Sequence, residues 1–240
     1  MLRRQFLGTI GAGLLQAQPA GRPPNILFIL ADDLGYGDLG CYGQRQIATP
    51  NIDRMAAEGV RFTQAYAGST VCAPSRCSLM TGLHTGHTRI RGNARVPLTA
   101  SDVTVAKLLN SAGYRTAIFG KWGLGNAGTG GVPNRQGFDE WFGYLDQQHA
   151  HSYYPEVLFE NENEFIVSKN LGVRRAYSHD LFTARALNFL QRQKRDPFFL
   201  YLAYTIPHAN DELGKDTGNG MEVPWAAQHY IFVFVNSYVK

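Results

Sequence analysis

The sequence predicts an α/β fold, a mostly parallel central sheet flanked by helices. Two observations carry this. Apolar runs at residues 25–30, 115–119 and 197–204 are separated by stretches whose apolar residues recur at helical spacing, the alternation that strand–helix–strand units produce. Each run also ends beside polar residues with useful chemistry: Asp32 and Asp33, then Lys121, then His208. Ligands of open parallel sheets bind along that carboxyl edge.

At 240 residues the chain is long enough for one substantial core or at most two small domains. The net charge of +4 comes without a dense Lys/Arg block. No nucleic-acid partner is therefore expected, and the basic balance suits a small anionic substrate. The three cysteines, Cys41, Cys72 and Cys77, are an odd number and include no Cys-x-x-Cys pair. That argues against a disulfide framework and a thiolate zinc site, and leaves open a Cys41–Cys77 bridge with Cys72 free.

Residues 1–20 read as an export signal. Arg3 and Arg4 precede Phe6-Leu7, the twin-arginine pattern, and the apolar run 6–15 is too short for a stable membrane anchor. Ala17 or Ala20 offers a cleavage point. The expected location is periplasmic or secreted.

Residues 25–30 lack alternation, which predicts a central strand covered on both faces. Asp32 and Asp33 follow. Adjacent carboxylates past a strand suit a hard divalent cation, although an Asp pair is more often a solvated turn. Thr49-Pro50 begins a helix with an apolar stripe of Ile52, Met55, Ala56 and Val60.

Residues 71–82 are a loop running into a short helix, with Pro74 in the first turn and Gly82 at the left-handed exit. Cys72 and Ala73 then stand where free N–H groups favour an anion, with Arg76 one turn on. A thiol there is expected to be acidic and nucleophilic. The alternative is a buried cysteine beside a surface arginine.

Residues 82–93 form a glycine-rich loop whose His84 and His87 receive no role. A helix over 102–112 turns Val105, Leu108, Leu109 and Ala112 to the core, and a strand over 115–119 leads to Gly120-Lys121-Trp122-Gly123. Residues 137–154 are rich in aromatics, either satellite core or a substrate rim. A helix over 178–193 presents Leu181, Ala184, Leu187, Phe189 and Leu190, and the buried strand 197–204 delivers Pro207-His208.

Cys72-Ala73-Pro74-Ser75-Arg76 followed by Thr81-Gly82 resembles the signature of the sulfatase family. The strand before Asp32-Asp33, Thr-Pro-Asn-Ile-Asp at 49–53, Gly120-Lys121-Trp122 and Pro207-His208 recur in that family too. The resemblance implies an alkaline-phosphatase-like fold and hydrolysis of a small sulfated substrate. It implies that a formylglycine-generating enzyme oxidises Cys72 to an aldehyde. The hydrated aldehyde would attack sulfur with one oxygen, and its second hydroxyl would later expel sulfate. Asp32, Asp33 and Cys72 would belong to a Ca2+ site, Arg76 and Lys121 would hold the sulfate, and His208 would bind it or protonate the leaving group.

Many members carry a histidine two residues after the lysine, where this chain has Gly123. His149 or His151 is a substitute, with His151 expected to contact substrate. The recognisable catalytic portion is 21–212. Residues 213–240 read as an atypical tail, the expected end of a truncated or frame-shifted gene or of a fragment, with an apolar run at 231–235 before Asn236. Two alternatives remain: a phosphate or phosphonate ester hydrolase of the same superfamily, and an inactive half-domain that binds anions only.

Overall fold

A computed structural model describes residues 21–224 apart from residue 194. The export signal and the 231–236 run lie outside the described residues. Six strands form one sheet: β1 (Ile26–Asp32), β2 (Arg115–Lys121), β3 (Glu140–Tyr144), β4 (Val157–Glu160), β5 (Asn163–Ile166) and β6 (Phe198–Pro207). Their spatial order is β1-β6-β2-β3-β4-β5. β1, β6, β2 and β3 run parallel, and β4 and β5 extend the sheet antiparallel. The sheet is thus mixed but parallel where it matters, and one edge gathers Asp32, Lys121 and Pro207.

The core has two layers because β6 and β2 are apolar on both faces. Ile118, Phe199 and Tyr201 pack with Trp122, Phe138 and Trp141 on one side, under Cys77 and Met80 of helix α2 (Cys72–Thr81). Phe119, Leu200 and Leu202 pack on the other, under Phe182, Ala186 and Phe189 of helix α4 (Ser178–Arg192). The backbones of β2 and β6 approach closely at Gly120, whose φ is +118°. A Cβ there would overlap the Ala203 carbonyl, so only glycine fits.

Several expectations change. Among the described residues β1 pairs only with β6, so it is an edge strand, and Leu27, Phe28 and Ile29 are exposed. An unbroken apolar run shows that both faces favour cover, not what supplies it. Helix α1 (Pro50–Glu58) forms as expected, yet Ile52 and Met55 are exposed, as is Val60 just beyond it. Its Thr49 does not cap the helix. The Thr49 hydroxyl accepts from Gly40 N–H and donates to Asp53, tying α1 to the preceding turn.

Helix α3 (Val105–Ser111) starts later than expected, capped by Thr104, whose hydroxyl accepts from Lys107 N–H. It buries Ala106 and leaves Leu108 exposed, and Leu187 of α4 is exposed too. Cys41 and Cys77 are free thiols, so no bridge forms.

Residues 137–154 contain a strand that the sequence hid. β3 carries Trp141, Phe142 and Tyr144, all buried, so its aromatics are sheet core. Beyond it, the β4–β5 hairpin turns at Asn161, in the left-handed region at φ +53°. Four-residue strands give too short a pattern to read. Past Pro207 the chain forms α5 (Asp211–Thr217) and returns Glu222 to a buried position. There it accepts from Tyr153 N–H and Asn210 Nδ2, and pairs with Arg174 at 3.1 Å.

Candidate active site

The site lies where β1, β2 and β6 end, beneath the first turn of α2. β1 shifts register between Ala31 and Asp32, which turns Asp32 into the interior, while Asp33 takes φ +61° and points outward. α2 begins after extended Val71 and ends on left-handed Gly82, whose N–H donates to Ser78 O. That is the predicted geometry. Its entrance is less open than expected, because Ala73 N–H donates to Asn93 Oδ1 at 3.0 Å and Pro74 has no N–H. Positive charge at the site therefore comes mainly from side chains.

Arg76 is not a surface residue: it is 2% exposed. Its Nη1 donates to Lys121 O at 2.7 Å and lies 3.4 Å from the Tyr201 hydroxyl. Its Nη2 lies 3.3 Å from Asp32 Oδ1, an ion pair without hydrogen-bond alignment. Nε and Nη2 have no hydrogen-bond partner among the described residues. Lys121, fully buried, donates from Nζ to Asp32 Oδ2 at 2.7 Å. Burial alone would raise the Asp32 carboxyl, but Arg76 and Lys121 together hold it below the usual carboxylate range. Burial would likewise weaken the charge on Arg76, and its surroundings, Tyr201 and Asp32 first, keep it protonated.

Two buried cations thus share one buried carboxylate. Asp32→Asn should cost about 3 kcal/mol, because it leaves Arg76 and Lys121 facing each other uncompensated. Denaturant unfolding measures this, and sulfate should restore part of the loss; equal stability of the two chains would refute the pairing.

His208 leaves β6 past a cis Ile206–Pro207 bond. Its Nδ1 lies 2.6 Å from Ala209 O and its Nε2 lies 3.4 Å from Asp33 Oδ2. The Tyr153 hydroxyl donates to Thr205 O at 3.2 Å and to His208 O. The exit of β6 is also held from α4. Buried His179 accepts at Nε2 from Thr205 N–H at 3.1 Å and Ile206 N–H at 3.3 Å, with the Thr205 hydroxyl at 2.7 Å.

His151, in a turn after β3, stacks on His208 with ring centroids 4.4 Å apart. Burial, then Lys121 and His208, lowers its pKa. His149 instead packs edge-on against Tyr144. Of the two histidines proposed to replace the one missing at Gly123, the structure brings His151 to the site. Gly123 has φ +76°, and a Cβ there would overlap the Gln147 amide, which donates to Gly123 O at 3.1 Å. A cavity of about 200 Å3 opens here, lined by Ala73, Asn93, Arg95, Gly123, Gln147 and His151.

Arg76, Lys121, Asp32 and Tyr201 therefore form one connected group, with Cys72 a turn above Arg76 and His151 and His208 on the flank. Asp33 and Asp32 supply hard oxygen donors fitting part of a divalent-ion shell. Among the described residues the ligand atoms of Asp32, Asp33 and Cys72 do not all lie within 4.8 Å of one another; Asp32 is engaged by the two cations and Asp33 lies beside His208. Sequence reasoning missed Tyr201, Asn93, Gln147 and His179. Tyr201 looked like one more strand apolar and His179 like an ordinary residue of the expected 178–193 helix, while Asn93 and Gln147 stood in stretches with no spacing signal.

Residues 24–238 match the family described as Sulfatase. The chain belongs to the sulfatase family. It is 37% identical over 232 residues to N-acetylgalactosamine-6-sulfatase of Sus scrofa, covering 86% of this chain but 44% of that protein. It therefore spans less than half the length of this curated relative. Among solved structures, Ps i-CgsB in complex with k-i-k-neocarrahexaose superposes with a TM-score of 0.66 at 34% identity, over 80% of this chain and 48% of the other. BT4656 in complex with its substrate D-glucosamine-2-N,6-O-disulfate gives a TM-score of 0.66 at 31% identity, over 82% and 38%. Sulfatases as a family use a formylglycine and a divalent metal. Among the described residues of this sulfatase no helix is long and apolar enough to cross a membrane.

Proposed function

We propose that this chain carries the sulfate-binding and nucleophile portion of a sulfate-ester hydrolase centre, with Cys72 the precursor of the nucleophile. The observation that carries the reading is Arg76, buried beside fully buried Lys121, whose Nε and Nη2 make no hydrogen bond among the described residues although Nη2 is ion-paired with Asp32. Each unmade buried bond costs about 1–3 kcal/mol, a deficit that an anion's oxygens remove.

Arg76 would take the anion through its open N–H groups, and Lys121 would add charge from below. Oxidised to formylglycine, Cys72 would supply a hydrated carbonyl whose oxygen attacks sulfur. His208 would donate the proton to the departing oxygen, and His151, which lines the same cavity as Gly123, would contact the substrate. Asp32 and Asp33 would hold the divalent ion, with Ca2+ suited to their oxygens; bound, it would neutralise sulfate charge. The polar cavity beside Ala73 fits a sulfated sugar, the ligand type of BT4656. Residues 1–20 would direct export, to a periplasmic or secreted location.

Calorimetric titration with sulfate, followed by turnover of paired sulfate and phosphate esters, tests the reading. Arg76→Lys should weaken sulfate binding about tenfold, because an ammonium cannot present the guanidinium fork. Unchanged sulfate affinity, or turnover of phosphate esters alone, would overturn the proposal.

A further inference from the structure

We propose that His151, His208 and Asp211 form a site for one borderline divalent transition ion of the Zn2+ or Co2+ class, whose ligands differ from the Asp32–Asp33 carboxylates although Asp33 borders His208. One ligand atom from each residue lies within 4.8 Å of the other two. The residues come from three segments: the turn after β3, the exit of β6 and the start of α5.

The chemistry is that of a nitrogen-rich site. The His208 Nδ1 proton is directed to the Ala209 carbonyl at 2.6 Å. Metal-binding imidazoles commonly use this support, which leaves the lone pair on the other nitrogen. Both nitrogens of His151 lack a hydrogen-bond partner among the described residues, although its side chain is only 14% exposed. Its Nδ1 lies 3.8 Å from Asp211 Oδ2 and 3.4 Å from Glu212 Oε2. Two imidazoles and a carboxylate select Zn2+ or Co2+ over Ca2+, which prefers an all-oxygen shell. Glu212 stands ready as a fourth ligand, and Asp33 beside His208 adds negative charge.

A tetrahedral zinc shell sets its ligand atoms about 3.4 Å apart. The two rings are stacked, with an interplanar angle of 19°, so each must turn for the lone pairs to converge. Asp211, about half exposed, is free to follow. An ion held here occupies His208 and His151, withdrawing them from an ester oxygen. Inhibition of turnover would depend on the function proposed above; ion binding itself does not.

The test is titration of the full chain, freed of metal by chelator and then dialysed, with Co2+ followed by its visible spectrum and with Zn2+ by calorimetry. One equivalent should bind in both, and His151→Ala should weaken it at least tenfold. Asp211→Asn, at a half-exposed position that tolerates the change, should also weaken it. The double variant His84→Ala/His87→Ala should retain wild-type affinity, which excludes the exposed histidine pair as the ligand source. Absence of binding by the wild type, or equal affinity in the His151 and Asp211 variants, would overturn the site.

Discussion

On the proposed function, replacing Cys72 with alanine should lower sulfate-ester turnover about 10⁴-fold or more, the scale seen when a nucleophile is removed from an otherwise intact site. Stability should barely change. Cys72 is only partly buried, and its neighbours Arg76 and Lys121 keep their partner Asp32. The variant should still bind sulfate. Cys72→Ser makes the sharper comparison. Serine offers one hydroxyl, whereas the hydrate of an aldehyde offers two, and the second is what expels the product. The serine chain should therefore stop after a single transfer, leaving a sulfated peptide visible by mass spectrometry. Full turnover by a chain whose Cys72 peptide carries an unmodified thiol would refute this chemistry.

Acid should loosen the chain through His179. Burial pushes this imidazole down from 6.5 to about 3. Three donors already converge on its Nε2: two backbone N–H groups and the Thr205 hydroxyl. The folded chain thus keeps His179 neutral where the unfolded chain protonates it. Stability is unaffected above pH 6.5 and falls as pH drops from about 6.5 toward about 3, by at most about 1.4 kcal/mol per unit. Over the whole window the loss is about 4–5 kcal/mol.

Carboxylates also titrate in that range, so the useful quantity is the gap between wild type and His179→Gln. Glutamine keeps an acceptor and cannot charge. Urea unfolding at steps from pH 7 to pH 4 should show the wild-type advantage shrinking as pH falls. A constant gap would refute the assignment. Because His179 clamps the strand end that delivers His208, the same protonation should disturb the site before the whole chain unfolds.

Much of the site was legible because its residues sit where the chain must change course. Asp32, Lys121 and His208 each end an apolar run, and the edge they share follows from a parallel sheet. The α2 segment announced itself through Pro74 and Gly82, whose backbone requirements are local. The sequence did not show that β1 has a neighbour on one side only among the described residues, that α1 leaves Ile52 exposed there, or that residues 140–144 form a strand. In each case the pattern records that a residue is apolar, and packing decides what covers it.

The amino-acid sequence by itself determined the alternation of strands and helices, the Cys72–Arg76 pairing on one helix and the order in which charged groups reach the sheet edge, because these depend on neighbours within a few positions. Only the tertiary structure decided that Arg76 is buried with open donors, that Asp32 lies between two cations, and that His151 rather than His149 meets His208. Those outcomes turn on residues tens of positions apart in the chain. Burial then sets their electrostatics: once water is removed, each charge must find its partner among whatever the fold has placed beside it.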